Sequence, residues 1–432
     1  MLKGLVRFVG GIARLALLIV CGLILFHVLF PPWYEFRPAR PFGGERWYNP
    51  YQDFAGPTLR ANFHAHSYAW RGFTSGTETP ENLVKLYLAL GYDVPAISNY
   101  HQILPRESLE SVLREVETEG FGRMIGELPQ YLRNKVTHPE RNLRKERPVH
   151  VPCYEHGYGL TQQHQTVLGA ASVDWFEYPL FQLAANKQHV LDRLKRGAPL
   201  VVLNHATKGV GYSPADFRRL GGYDALEIAS KNITAKDGTR FWDEALSAGH
   251  AVFGVAADDG HRQYKIKHSA MGWVEIDGRE RTTPAVLDAL RAGRFYSVWA
   301  ERATPGTEVE SVRIEEGRLR VKLTNDADEL RAIGQDGEVR QVSRNQPGIE
   351  YVIRADDPYL RVEVDSAGTT IFLNPLFRFS GGDVENAVPE ENAALTWVRR
   401  VIGAALFLLS AYRIFPRGGG SGASDRAGRA PG

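Results

Sequence analysis

The 432-residue sequence predicts an α/β fold, a closed or partly closed β/α barrel, with a small all-β domain after it and an N-terminal transmembrane helix before it. Three observations predict this. Between about Leu59 and Ala300, short apolar runs alternate with amphipathic stretches, the pattern of parallel strands covered by helices. Polar residues recur at the C-terminal ends of those runs all around the region, which favours a barrel over an open doubly wound sheet. Beyond Ala300 the texture changes to period-two alternation with polar turns. With 43% apolar and 24% charged residues, the composition excludes a disordered, collagenous or disulfide-scaffold protein. A net charge of +2 supplies no field for gripping nucleic acid, and none is expected as a partner. Cys21 and Cys153 imply no disulfide.

Taken in order, residues 1–31 read as the anchor. Ile12 to Phe30 is an apolar run of 19 residues broken only by Arg14 and His27, and as a helix it reaches about 28 Å. Pro31, Pro32, Trp33 and Tyr34 follow as a helix stop and interfacial belt, where a cleavable signal peptide would show a small-x-small site. Lys3, Arg7 and Arg14 favour an internal N-terminus and an extracytoplasmic catalytic domain, although Arg37, Arg40 and Arg46 follow the span closely. Residues 32–57, rich in Pro, Gly and aromatics, read as a linker, and 58–300 as the barrel domain. Its strands are expected at Asp93–Ser98, Pro199–Asn204, Ala225–Ala229, Ala251–Ala257, Gly272–Ile276 and Phe295–Trp299. Helices are expected at Pro80–Leu90 after an N-capping Thr79, at Asn186–Arg196 and at Thr239–Ala248, each stopped by a glycine. The charged stretch Arg106 to Arg147, helical at its start, interrupts this rhythm as an insertion over the barrel mouth. Residues 301–380 form the small β domain. Within 395–415, the apolar run Val401 to Phe415 reaches about 22 Å, which suits either a short span or an interfacial helix. Residues 416–432 are too poor in apolar groups to fold.

The sharpest chemical signal is NFHAHS at Asn62–Ser67. Side chains alternate along a strand, so His64 and His66 share a face about 7 Å apart and can converge on one ion at the strand end. In VAADDGHR, Asp259 and His261 repeat that spacing directly after an apolar run, with Asp258 as the competing carboxylate. In VPCYEHGYG, Glu155 ends an apolar segment, and His156 points the other way. His164 and His205 add imidazoles at strand ends, and Glu227 in DALEIAS suits a hydrogen-bonding role as well as a ligand role. Nitrogen and oxygen ligands without a thiolate suit a catalytic Zn2+, Mn2+ or Fe2+ site and not a structural zinc.

In this order the motifs resemble those of the polymerase and histidinol phosphatase (PHP) superfamily of metal-dependent hydrolases. HAHS is similar to its opening His-x-His-Thr/Ser, and GYDVPAISNYHQI to its Gly-x-Asp-x-x-Ala-x-Thr-Asp-His segment. PCYEHG is similar to its Gly-x-Glu, LNHA to its later strand-end His, and DGH to its closing Asp-x-His. LRAGRFYSV, RVEV and FLNPLFRF resemble the end of the CehA/McbA-like type. The resemblance implies a distorted (β/α)7 PHP-type barrel with one divalent ion on His64, His66, Glu155 and Asp259 and a second on Glu155, His164 and His205. A third site of some members is deficient here: Gly72 or a neighbour and Tyr100 stand where histidines would be, His101 sits one position off, and Asn99 replaces an Asp. Two ions are therefore expected, with His261 a weaker ligand or a general acid.

The leading function is a membrane-anchored phosphoesterase working through metal-bound hydroxide. His101 and His261 are the catalytic candidates, and Arg71, Lys208 and Arg262 are further cations for an anionic substrate. The same chemistry would cleave an ester, amide or carbamate, and a non-catalytic, metal-stabilised binding protein is the contrasting class. His189, His250 and His268 read as structural or surface residues. The lipid bilayer and a small anionic or ester substrate are the expected partners.

Overall fold

The computed structural model describes residues 2–415 except 55–56, 75, 129, 134–146, 160, 198–199, 207, 209–210, 263, 266–268, 301–305 and 382–387. The expected 416–432 tail, part of the 106–147 insertion and His268 lie outside the described residues. The chain divides into two compact units, Met1–Glu35 with Glu391–Gly432, and Phe36–Glu390.

In the first unit, α1 (Leu2–Leu29) is followed by the short strand β1 (Tyr34–Glu35). A second helix, Ala393–Ile414, is 22 residues long. That is about 33 Å, longer than the apolar run alone suggested. The added turns begin at Asn392, whose side chain accepts the Leu395 N–H at 3.1 Å and caps the first turn. Both helices are long and apolar enough to cross a membrane. They pack closely where side chains are small: a Cβ on Gly22 would lie 3.1 Å from Phe407, and one on Gly403 would lie 3.2 Å from Leu29. Arg399 and Arg400 donate to the carbonyls of Val28 and Phe30, where the C-terminal end of α1 favours cations.

The second unit begins with β2 (Arg46–Tyr48), β3 (Thr58–Asn62), α2 (Pro80–Ala89), β4 (Val94–Pro95), α3 (Arg106–Glu119), α4 (Phe121–Glu127) and α5 (Gln130–Arg133). Next come β5 (Cys153–His156), β6 (Gln165–Leu168), α6 (Ala184–Gly197), β7 (Leu200–Leu203), α7 (Pro214–Phe217), β8 (Ala225–Ala229), α8 (Ala235–Ser247) and β9 (Phe253–Ala256). It continues through β10 (Gly272–Asp277), α9 (Thr283–Arg291), β11 (Phe295–Ala300), β12 (Val309–Glu315), β13 (Arg318–Ile333), β14 (Val339–Val352), β15 (Tyr359–Ser366), β16 (Thr369–Leu373) and β17 (Leu376–Phe379).

These elements are α/β, but among the described residues no continuous ladder closes a barrel. Strands β5 to β9 form one five-stranded sheet in sequence order, and β3 and β4 belong to a separate eleven-stranded sheet. Among the described residues, only two isolated parallel bridges, Ala65 to Gly260 and Tyr100 to Glu155, stand between β3–β4 and the five-stranded sheet. The parallel rule expected of the barrel also fails at β5–β6 and β6–β7, which are antiparallel. The β5–β6 connection, residues 157–164, is too short for a crossover, which needs a dozen or more residues. Strands β10 and β11 pair antiparallel, and β11 continues into β16, so the small antiparallel region after residue 300 shares its sheet with β3 and β4. Within this sheet Arg60 and Glu275 pair at 3.0 Å while buried, and Trp273 packs against the guanidinium.

Candidate metal centre

Asn62 at the end of β3 orients the segment that carries the two histidines. Its Oδ1 accepts the His64 N–H at 3.1 Å, and its Nδ2 donates to Asp258 at 3.0 Å. The chain leaves the ladder there, and His64 and His66 both turn inward, 2% and 1% exposed. Asn99 Oδ1 accepts the Ser67 N–H at 2.8 Å, and Glu155 N–H donates to the Asn99 carbonyl, so the ends of β3 and β4 and strand β5 are stitched together here. Glu155 is fully buried at the focus of the imidazoles. Its Oε1 lies 3.2 Å from His64 Nε2, 3.2 Å from His164 Nδ1 and 3.4 Å from His205 Nε2. Its Oε2 lies 3.1 Å from His66 Nε2. Asp259 Oδ1 is 3.4 Å from His64 Nε2, 3.7 Å from His66 Nε2 and 3.2 Å from His261 Nε2.

The neighbouring backbone is strained in the way functional sites often are. His205, Asp259 and His101 adopt φ of 26°, 46° and 49°. Gly157 permits the close approach of His164: a Cβ there would lie 2.7 Å from the imidazole, and its φ of 119° disfavours any other residue.

Two triads place ligand atoms within 4.8 Å of one another: His64, His66 and Asp259, and His64, Glu155 and His205. His64 Nε2, Glu155 Oε2, His164 Nδ1, both nitrogens of His205 and Asp259 Oδ1 are buried and make no hydrogen bond of normal geometry among the described residues. Each such group costs about 1–3 kcal/mol if left so. The separations match a cation's requirement, since tetrahedral bonds of about 2.1 Å put ligand atoms about 3.4 Å apart. This is a centre for divalent metal.

Its electrostatics agree with that reading. Burial alone would raise Glu155, but His64 and His164 outweigh it and hold the carboxylate well below its ordinary pKa. Burial likewise opposes the lowering of Asp259, and His64 and His261 overcome it. Burial pushes His66 down to about 4.

The side chains that orient the ligands form a second layer. Glu227 Oε2 lies 2.5 Å from His64 Nδ1 and its Oε1 accepts the His205 N–H, so it supports two ligands in place of joining either triad. Asn204 donates to Glu155 Oε1 at 2.9 Å, and Asn232 donates to Asp259 Oδ2. Neither asparagine carried a sequence signal, because a single amide has no diagnostic spacing. Asp258 accepts from Asn62, Tyr87 and the N–H groups of Ala270, Met271 and Gly272, a structural role. His156 commits its nitrogens to Gln165 and the Phe176 carbonyl.

His261, 14% exposed at its side chain, stacks on His66 at 4.3 Å. Tyr100 covers the other flank, stacking on His66 at 4.7 Å. His101 lies in neither triad. It stacks on Trp175 at 4.8 Å beside His156 and Tyr158, and burial and His156 lower its pKa to about 4, so it is neutral at pH 7. Lys208 donates its N–H to the His205 carbonyl, while Arg71 lies in the turn Trp70–Gly72 and Arg262 beyond His261. Lys231, between β8 and Asn232, was missed in the sequence; burial lowers its pKa, and the charge of Asp259 opposes that shift.

No family model matches the chain, and neither does any curated protein. Among solved structures it is similar to a two-domain protein from Bacteroides vulgatus containing a predicted PHP-like metal-dependent phosphoesterase. Identity is 12% over 83% of this chain and 99% of that one, with a TM-score of 0.39, too low to establish a common fold.

Proposed function

We propose that the chain is a membrane-anchored metal-dependent hydrolase of the PHP type, acting on phosphoesters through two divalent ions. The observation that carries this reading is the buried Glu155 carboxylate, whose two oxygens meet four imidazoles within 3.1–3.4 Å. His64, His66, Glu155 and Asp259 would hold one ion, and Glu155, His164 and His205 a second. Such cations would supply Lewis acidity and lower the pKa of water. His261, whose side chain is 14% exposed and whose Nε2 lies 3.2 Å from Asp259 Oδ1, is placed to hand a proton to a leaving oxygen. His101 serves as a neutral hydrogen-bonding group, and Lys208 and Lys231 supply positive charge for an anionic substrate. Zn2+, Mn2+ and Fe2+ all suit the ligand set.

Hydrolysis of a carboxyl ester, amide or carbamate is the second reading. It is favoured by the platform of Trp70, Trp175 and His101, which offers ring faces beside Tyr100 to an uncharged substrate. Metal analysis of the purified full chain, followed by assay of p-nitrophenyl phosphate, bis-p-nitrophenyl phosphate and p-nitrophenyl acetate, tests both. Turnover of a phosphoester supports the first, acetate turnover alone supports the second, and bound metal with no turnover of any ester leaves a metal-stabilised binding protein.

A further inference from the structure

A cavity of about 500 Å³ lies within the Phe36–Glu390 unit, walled by residues 37–40, the Arg218–Arg219 pair, the turn Ala248–His250 and Pro389. Its volume is in the range of small-ligand sites. The wall is built. The Arg40 N–H donates to the Ala248 carbonyl at 3.0 Å, and at Gly249, φ 86°, a Cβ would fall 1.9 Å from the Arg40 carbonyl oxygen, so only glycine lets the two segments meet.

Four lining side chains are arginines and none is a carboxylate. Arg218 is paired with Glu244 at 2.5 Å, and Arg37 with Glu390. Arg40 and Arg219 have no carboxylate partner within 4.0 Å among the described residues. Beside them stands His250, 6% exposed. Its Nδ1 is buried and makes no hydrogen bond among the described residues. Burial lowers the pKa of the ring, so it is neutral at pH 7 and adds no charge to the wall. Two guanidinium forks in a wall without a carboxylate match a phosphate group.

We propose that this cavity is a second ligand site, separate from the metal centre, that binds a phosphate group on Arg40 and Arg219. The phosphate could belong to an anionic lipid headgroup or to a soluble phosphate.

The test uses the full chain in neutral detergent, stripped of metal with chelator so that phosphate binding at the metal centre does not contribute. Inorganic phosphate, short-chain phosphatidylglycerol and short-chain phosphatidylcholine are titrated by calorimetry. Saturable binding of phosphatidylglycerol but not phosphatidylcholine supports the headgroup source, and binding of phosphate alone supports the soluble source. In either case Arg40→Ala with Arg219→Ala, both exposed positions, weakens binding by about tenfold or more per arginine. Absence of saturable binding to any of the three, or a double variant that binds as tightly as the parent, overturns the proposal.

Discussion

At the scale of single residues, the centre depends on Glu155 as the shared acceptor and on Glu227 as the group that aims His64. Removing the His64 side chain takes a nitrogen from both triads, so His64→Ala lowers both metal content and hydrolytic rate; an unchanged rate at normal metal content removes it from the site. Glu227→Gln keeps the shape and loses the charge behind the imidazole. Metal titration of the variant is expected to show affinity reduced about 10–100-fold with an unchanged circular dichroism spectrum. Equal affinity would mean that Glu227 only packs there. The two-residue spacing in HAHS and DGH singled out His64 with His66 and Asp259 with His261, but all four lie beyond the ends of β3 and β9, and Asp259 turns with φ of 46°, so strand alternation is not what gathers them. The orienting layer was not legible in the sequence. Asn62, Asn204 and Asn232 act through contacts 27 to 196 positions away in sequence, and no local pattern announces such contacts.

Between elements, a buried ion pair outside the centre joins α8 to β15. Arg361 donates to both oxygens of Asp243, at 2.7 and 2.6 Å, and also binds Glu363, with its own side chain 3% exposed. Breaking a buried pair on one side leaves uncompensated charge, so Arg361→Leu is expected to cost about 3–5 kcal/mol in a denaturant titration. Burial opposes ionisation of Glu363, but Arg361 and Arg331 outweigh it and hold its pKa below the ordinary 4.5. A depressed carboxylate stabilises the fold above its unfolded pKa and loses that contribution as pH falls through the folded value. The melting temperature of the parent should therefore drop more steeply than that of Glu363→Gln below about pH 4.5. Parallel slopes would show that the network contributes nothing pH-dependent. Secondary structure itself was largely legible: Thr79 caps α2 as expected, and β8 runs over the residues its apolar run marks. Pairing direction was not, because it is settled by the length of the β5–β6 connection and by the partners available to β10 and β11, and apolar periodicity carries neither.

For the molecule as a whole, the two apolar helices decide where hydrolysis would take place. If both cross the bilayer, the two termini share one side. Arg413 then adds to Lys3, Arg7 and Arg14 on that side, while Arg37, Arg40 and Arg46 with Arg399 and Arg400 lie at the other end of the spans. The last two are bound to the carbonyls of Val28 and Phe30, so part of the opposing charge is already engaged at the helix terminus. With those two set aside, we propose that the termini lie in the cytoplasm and the Phe36–Glu390 unit outside it. A cysteine placed at the exposed Ser213, with Cys21 replaced by serine, reads this directly, since Cys153 is buried. Membrane-impermeant maleimide should label Ser213→Cys in intact cells expressing the chain, and alkaline carbonate should leave the protein in the membrane pellet. Labelling only after permeabilisation would place the metal centre in the cytoplasm, and release by carbonate would mean that the helices lie on the bilayer without crossing it.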